Sequence, residues 1–218
     1  MAGSSAKVAK PTSRFLYGHI ISTHWLTFAF ALGTVATLFL SSSSLSAAPK
    51  SLPTDQGLFL VATDQLEGTG FQETVILITH YSKRGATGLT INRPTTIPLQ
   101  QAFPRIQQLN QRTDPLYLGG PVSTNAIFVL MSTDHPRKNM HLIANNIYFS
   151  TANNAFKQPL AAQSRTYAGY TGWAPGQLQA EINRGDWLLV HTQPDIIFEE
   201  DPGVLWQRLI KRWSGDWI

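Results

Sequence analysis

TYAGYTGWAPGQLQAEINRGDWLLV, Thr166 to Val190, is the stretch on which the reading of the fold turns. Thr166 to Tyr170 is rich in β-formers and reads as a strand. Gly172-Trp173-Ala174-Pro175 turns the chain into a helix ending near Arg184, and Gly185 is the residue type that stops a helix in the left-handed conformation. Trp187-Leu188-Leu189-Val190 is a second apolar run, so the order is strand, helix, strand: one β–α–β unit.

Working outward, the same punctuation recurs on both sides. Gly57-Leu58-Phe59-Leu60-Val61-Ala62 and Thr74-Val75-Ile76-Leu77-Ile78-Thr79 are short apolar runs of the kind that form buried strands. Gly85 to Asn92 is a third, closed by Arg93-Pro94. Leu99 to Leu109 has helical spacing but carries Pro104, which predicts a short or broken helix. Leu116-Tyr117-Leu118 is a strand stopped by Gly119-Gly120-Pro121. Ile127 to Met131 and Ile147 to Phe149 are further strands, and Asn153 to Ala162 reads as a helix capped by Asn153 or Asn154. Downstream, Asp201-Pro202 is a cap followed by proline at the first helical position. The helix it starts places Leu205, Trp206, Leu209, Ile210 and Trp213 on one face, with Arg208, Lys211 and Arg212 on the other.

The 218 residues carry 17 Lys+Arg against 13 Asp+Glu, and no cysteine. Zero cysteine excludes a disulfide scaffold, a thiolate metal site and a cysteine nucleophile. Hydrophobic residues at 43% exclude a mostly disordered chain. The net charge of +4 invites a nucleic-acid reading until its location is considered. Lys7, Lys10 and Arg14 lie in the first 48 residues, which hold no acid. Without those three the chain has 14 bases against 13 acids, a net of +1, so nucleic acid is not an expected partner.

Those first 48 residues read as a separate element. No charged residue stands between Arg14 and Lys50, and Trp25 to Leu40 is apolar apart from three threonines. As a helix these 16 residues reach about 24 Å; starting at Ile20 gives about 31 Å, enough to cross a bilayer core. Ser41 to Ser44 and Leu45-Ser46-Ala47-Ala48 follow. Basic start, apolar middle and small residues are the order of an export signal, cleaved after Ser46 or Ala48, or of an uncleaved anchor. Positive-inside bias then sends the body across to the periplasmic side. A transit peptide, or a misassigned start that leaves the protein cytoplasmic, are the alternatives. The domain boundaries expected are 1–48 for the signal or anchor, 49–56 for a linker, and 57–218 for the globular domain.

Familiar catalytic signatures are missing. His80, His135, His141 and His191 have no metal-ligand spacing, and there is no G-x-S-x-G elbow or glycine-rich phosphate loop. No metal or cofactor is expected. Three clusters at strand ends stand out instead. Asn92-Arg93-Pro94 holds a guanidinium stiffly. Tyr117 precedes Gly119-Gly120-Pro121, whose amides suit an anion, although Pro121 removes a donor and a tight structural turn is the stronger reading. Tyr170, Trp173, Gln177 and Glu181 form the third, with Gln177 and Glu181 four apart on one helix face. Together these side chains would line a small polar pocket at strand ends, where α/β sheets bind ligands. The bland alternative is an Arg93–Glu181 ion pair among core aromatics.

The motifs Gly85-Ala86-Thr87-Gly88-Leu89, Ile91-Asn92-Arg93-Pro94, Tyr117-Leu118-Gly119-Gly120-Pro121-Val122 and Gly169-Tyr170-Thr171-Gly172-Trp173-Ala174-Pro175-Gly176-Gln177-Leu178 occur in this order. With Gly57 to Ala62, Phe71, Thr74 to Leu77 and His80, they make the chain from Gly57 to Trp213 resemble the AlgH/YqgE family of bacterial proteins. The resemblance implies an α/β (α+β) fold with a curved mixed β-sheet flanked by a few helices. It implies no defined activity; the family's transcriptional-regulator label comes from an association with alginate production. The sequence departs from the family pattern at Thr63-Asp64, usually Met-Pro, and at Thr79 and Gln179, where acids are common. A histidine often follows the strand that here ends in Met131. Those departures weaken an acid–base mechanism built on such positions.

Two functional expectations follow. The favoured one is a non-catalytic binding or regulatory module that holds a small polar or anionic ligand, or a protein partner. Its ligand-binding residues would be Asn92, Arg93, Tyr117, Gly119, Gly120, Tyr170, Trp173 and Gln177. The other is a hydrolase or transferase with His80 as base and Glu181 as its orienting partner, which requires the two to meet.

Overall fold

The computed structural model describes residues 57–191, 194–198 and 201–214. The expected leader and linker lie outside these residues, as does the side chain of Trp213. Among the described residues no helix is long and apolar enough to cross a membrane.

Ten strands form in chain order: β1 (Leu58–Ala62), β2 (Val75–Ser82), β3 (Gly85–Thr90), β4 (Pro94–Pro98), β5 (Pro115–Leu118), β6 (Val122–Ser132), β7 (His141–Ala144), β8 (Ile147–Thr151), β9 (Ser164–Trp173) and β10 (Trp187–His191). The helices are α1 (Leu99–Ala102), α2 (Ala152–Ala155), α3 (Gln177–Arg184), α4 (Pro194–Ile197) and α5 (Pro202–Ser214). The strands order as β10-β1-β2-β3-β9-β6-β8-β7, antiparallel throughout. β5 adds the parallel contact, Leu116 to Leu118 against Thr166 to Ala168, and β4 pairs with β5. This is the mixed, sheet-rich α+β fold expected.

β9 organises the sheet. Its first half bonds β5 on one edge and its last residues bond β3 on that same edge, with β6 along the other. The change of partner falls at Gly169, which adopts φ +71° and shifts the register of β6 between Val122 and Ile127. A glycine in the left-handed region at such a shift is the bulge device that bends a strand and re-aims its side chains. Tyr167 and Tyr170 consequently face the same side although they are three apart.

Alternation divides the apolar residues between two faces. On the inner face Phe59, Val61, Leu77, Leu89, Leu130, Ile147 and Tyr167 make one cluster, closed by Ile196, Ile197, Leu205 and Leu209 of α4 and α5. Strands from both ends of the sheet meet in it, which requires the sheet to curve. The outer face carries two further clusters: Leu60, Ile76, Trp173 and Trp187 beneath Leu178 of α3, and Val129, Met131 and Ala168 beneath Leu99, Leu109 and Phe156.

The β9–α3–β10 unit forms, with Gly185 at φ +87° and its N–H donating to the Glu181 and Ile182 carbonyls. Counting the antiparallel steps, β10 runs parallel to β9, but β3, β2 and β1 lie between them. Pro104 breaks its segment as expected, into α1 and a 3-10 turn at Gln107–Leu109. Asp201 caps α5 by accepting from Gly203 N–H at 3.0 Å. One expected helix is corrected: 153–162 is a single turn, Ala152–Ala155, with Thr151 rather than an asparagine at its cap position. Pro159 disfavours helical backbone at Gln158, and the Arg137 guanidinium takes the Ala155 and Pro159 carbonyls (3.3 and 2.9 Å) out of any helical ladder.

Candidate functional site

Asn92 is 8% exposed and spent on the fold. Its Oδ1 accepts from Val75 N–H and its Nδ2 donates to the Glu73 carbonyl, both at 2.9 Å. It thereby holds Glu73 at φ 55°, a backbone conformation that costs a non-glycine residue energy. Exposed Arg93 donates to the Gln72 carbonyl and forms no ion pair with Glu181. The Gly119 N–H donates to the Ala168 carbonyl at 2.8 Å, so it is not turned toward an anion. A Cβ at Gly119 would strike the Gly169 carbonyl, one at Gly120 the Tyr170 backbone, and one at Gly169 the Gly120 carbonyl. The two glycines let β5 and β6 cross the β9 bulge at backbone contact: the tight structural turn is what forms.

Trp173, Gln177 and Glu181 do come together, on the outer face. Glu181 Oε2 accepts from the indole N–H groups of Trp173 (2.8 Å) and Trp187 (2.9 Å), while Oε1 accepts from Gln177 Nε2 (3.0 Å). Gln177 Oε1 in turn accepts from Ala174 N–H. The indoles meet edge to face with centroids 6.2 Å apart. This carboxylate is a joint between α3, β9 and β10, filled by its own protein donors.

His80 lies elsewhere. A register shift in β2 sets it opposite Thr87, which alternates with Leu89 and so faces inward. The neighbouring Thr79 hydroxyl is 3.1 Å from that of Thr87. His80 and Glu181 therefore occupy opposite faces of the sheet. The expected pairing of His80 with Glu181 is not formed, because the one-residue bulge reverses the face His80 would take by simple alternation.

Tyr117 belongs to the inner core. It packs against Tyr167 with centroids 5.4 Å apart, under Arg165, whose Cζ is 4.8 Å from the Tyr117 ring centroid. Arg165 Nη1 donates to the Ile197 carbonyl at 2.8 Å, tying α4 to the sheet. Burial pushes both phenols above their ordinary range, Tyr167 furthest; the Arg165 charge works against that rise in both. Loss of either phenolic proton would place a negative charge where water cannot solvate it.

Tyr170 is the expected residue that stays half-open on the inner face, and it has companions the sequence reading did not single out. Phe149 stacks on Phe128 at 5.3 Å, and Phe128 meets Tyr170 edge-on at 6.0 Å. All three are partly buried, in a diagonal row across β8, β6 and β9. His141 pairs with Phe149 at one end of the row, and Gly172, Thr87 and His80 continue it at the other. α4 and α5 fill the inner face near Ala62, where Trp206 Nε1 donates to the Ala62 carbonyl. Period-two spacing within 127–131 and 147–149 would have paired Phe128 and Phe149 had the strands' order been known.

A cleft of about 330 Å³ is lined by Met131, Thr133, His135, Arg137 and Met140 among others, and the Arg137 guanidinium there is already committed to backbone carbonyls. Among the described residues no group of three His, Asp or Glu is placed to hold a metal ion.

Comparison with known proteins agrees with this architecture. The chain aligns at 34% identity with a UPF0301 protein of Methylococcus capsulatus, covering 75% of this chain and 93% of that one. A UPF0301 protein of Parabacteroides distasonis is 30% identical over 74% and 84% of the two chains. The solution structure of the AlgH protein from Pseudomonas aeruginosa superposes with a TM-score of 0.61 at 28% identity, covering 76% of this chain and 92% of that one. A crystal structure of a Corynebacterium diphtheriae protein superposes at 0.60 and 25% identity, over 74% and 88%. The family model DUF179, described as AlgH-like, matches residues 59–218. The chain belongs to the AlgH-like family, whose biochemical activity is undefined.

Proposed function

We propose that the protein is a non-catalytic binding module whose ligand surface is the open part of the sheet's inner face. The observation that carries this reading is the row Phe149–Phe128–Tyr170, three partly buried aromatic side chains in contact with one another on the inner face, part of which is closed by α4 and α5. Apolar rings with a few polar groups beside them, here Thr87, His80 and His141, are the usual make-up of a small-molecule site. The separation of His80 from Glu181 and the saturation of Glu181 by two indoles count against the hydrolase or transferase alternative. The transcriptional-regulator reading has the family label behind it and a body charge of +1 against it.

Thermal unfolding with a panel of ring-containing metabolites tests the proposal. A ligand at a hundred times its Kd stabilises by about 2.7 kcal/mol, which for a domain of this size raises Tm by about 5–10 °C. Tyr170→Ala abolishes that shift in the expected case. A shift that survives Tyr170→Ala, or that disappears only with Gln177→Ala on the outer face, rejects the inner-face site.

We also propose that residues 1–48 address the domain at 57–218 to a membrane as an export signal or anchor. The supporting feature is the charge-free span after Lys7, Lys10 and Arg14. Mass spectrometry of the mature N-terminus in fractionated cells tests this. Starts near Ala47 or Pro49, or an intact chain in the membrane fraction, are expected; a cytoplasmic chain beginning near Pro53 overturns it.

A further inference from the structure

We infer that the ligand of the inner face beside the aromatic row, called the groove below, is a nucleoside phosphate, its ring on Tyr170 and Phe128 and its phosphates toward the β2–β3 turn. The inference rests on the groove being the binding surface and adds the chemistry of its occupant. Lys83 and Arg84 form the two-residue connection between β2 and β3, directly beyond His80 and Thr87. Both are exposed, and among the described residues neither joins an ion pair.

The acids on the described connections between strands are distributed the other way. Asp64, Glu67 and Glu73 lie on the β1–β2 connection, Asp114 just before β5, Asp134 just after β6, and Asp186 just before β10. The strand registers put every one of these segments at the end of the sheet away from Lys83 and Arg84. Glu181 is on the outer face, and Asp201 caps α5. The two ion pairs among the described residues, Arg112–Asp114 and Arg184–Asp186, are also at that far end. Among the acids whose side chains are described, none pairs with Lys83 or Arg84, so the two cations stand at the end of the sheet reached from the aromatic row, where they draw an anion.

The geometry between ring and charge suits one molecule. From Tyr170 to His80 is two strands across and two residues along, a Cα separation of about 12 Å from strand spacing and rise. An extended nucleoside diphosphate spans that interval. Gly172 lies between them beneath the edge of the Tyr170 ring, where a Cβ would come within 3.3 Å of that ring. The Thr87 hydroxyl lies on the strand between them and that of Thr79 beside His80, as donors and acceptors for a ribose or an α-phosphate. Aromatic rings accept the flat face of a base with little regard to its identity.

Isothermal titration of the full chain with ADP, adenosine, inorganic phosphate and a short single-stranded oligonucleotide tests this at two salt concentrations. The expected result is ADP at least tenfold tighter than adenosine, with phosphate alone weaker than either. Lys83→Ala/Arg84→Ala removes the ADP advantage and leaves adenosine binding unchanged; Tyr170→Leu weakens both about tenfold, with unfolding midpoints checked to confirm that the variant is folded. If adenosine binds in a Tyr170-dependent way and ADP binds no tighter, the phosphate assignment fails and the groove stands. If no ring compound binds, both fail. An oligonucleotide that binds more tightly than ADP, with steep salt dependence, replaces the inference with single-strand binding.

Discussion

Removing the Glu181 carboxylate should destabilise the protein far more than its half-exposed position suggests. Trp173 and Trp187 are 7% and 3% exposed, and the indole N–H of each donates to Glu181 Oε2 at 2.8 and 2.9 Å. In Glu181→Ala both donors lose their partner inside an apolar cluster. A buried donor left unpaired costs about 1–3 kcal/mol. Gln177, exposed, finds water and adds nothing. Because α3 is at the surface, water reaches one indole more readily than the other, so the expected total is about 2–4 kcal/mol out of a typical 5–15. Urea unfolding followed by tryptophan fluorescence measures it: the midpoint falls while the slope is unchanged. Glu181→Gln keeps one carbonyl oxygen facing the indoles and should recover about half of the loss. In a double-mutant cycle with Trp187→Phe, the two changes should couple by about 1 kcal/mol or more. A loss below about 0.5 kcal/mol for Glu181→Ala, or no coupling, would refute the claim that this carboxylate joins α3 to the sheet.

Gly169→Ala must both hold φ +71° and push a methyl into the Gly120 carbonyl; a loss of about 3 kcal/mol or more in unfolding free energy, or failure to fold, is expected. Arg165→Met removes the donor to the Ile197 carbonyl, so hydrogen exchange should accelerate in α5, at Leu205 to Ile210, before it does in β1 or β2. Native Tyr117 and Tyr167 hold their protons above the ordinary phenol value of 10.0. The unfolded chain ionises first, so their contribution is complete below about pH 10 and is lost as pH rises above it. Phenolate absorbance should show two tyrosines that titrate later than the rest, with the urea midpoint lower at pH 11 than at pH 9.

Much of the fold was legible because local chemistry and tertiary demand coincide. The runs around Phe59 and Leu77 are buried on both faces, and such strands read as continuous apolar stretches. Gly185, Pro104 and Asp201 act within a turn or two of their own positions, so their effects are readable without the fold. The site was legible only in part. Tyr170, Trp173, Gln177 and Glu181 look like one cluster along the chain, but the sheet passes between them. Tyr170 follows the Gly169 bulge to the inner face, while Trp173 points outward to α3. Whether a bulge occurs at Gly169, or between Ile78 and His80, depends on strands far away in sequence. The partners of Tyr170 were hidden for the same reason. Phe128 and Phe149 are 21 residues apart and meet through the β6–β8 pairing. The role of Asn92 is not readable from sequence because an amide at a strand end suits a ligand and a backbone clamp equally, until Glu73 is seen beside it.

The most direct test of the binding surface is an NMR titration of the isotopically labelled chain with adenosine and ADP. The account predicts shift changes at Thr79, His80, Thr87, Phe128, Phe149 and Tyr170 to Gly172, extending to Lys83 and Arg84 with ADP alone. Changes centred on Trp173, Gln177 and Glu181, or none at all at saturating ligand, would contradict it.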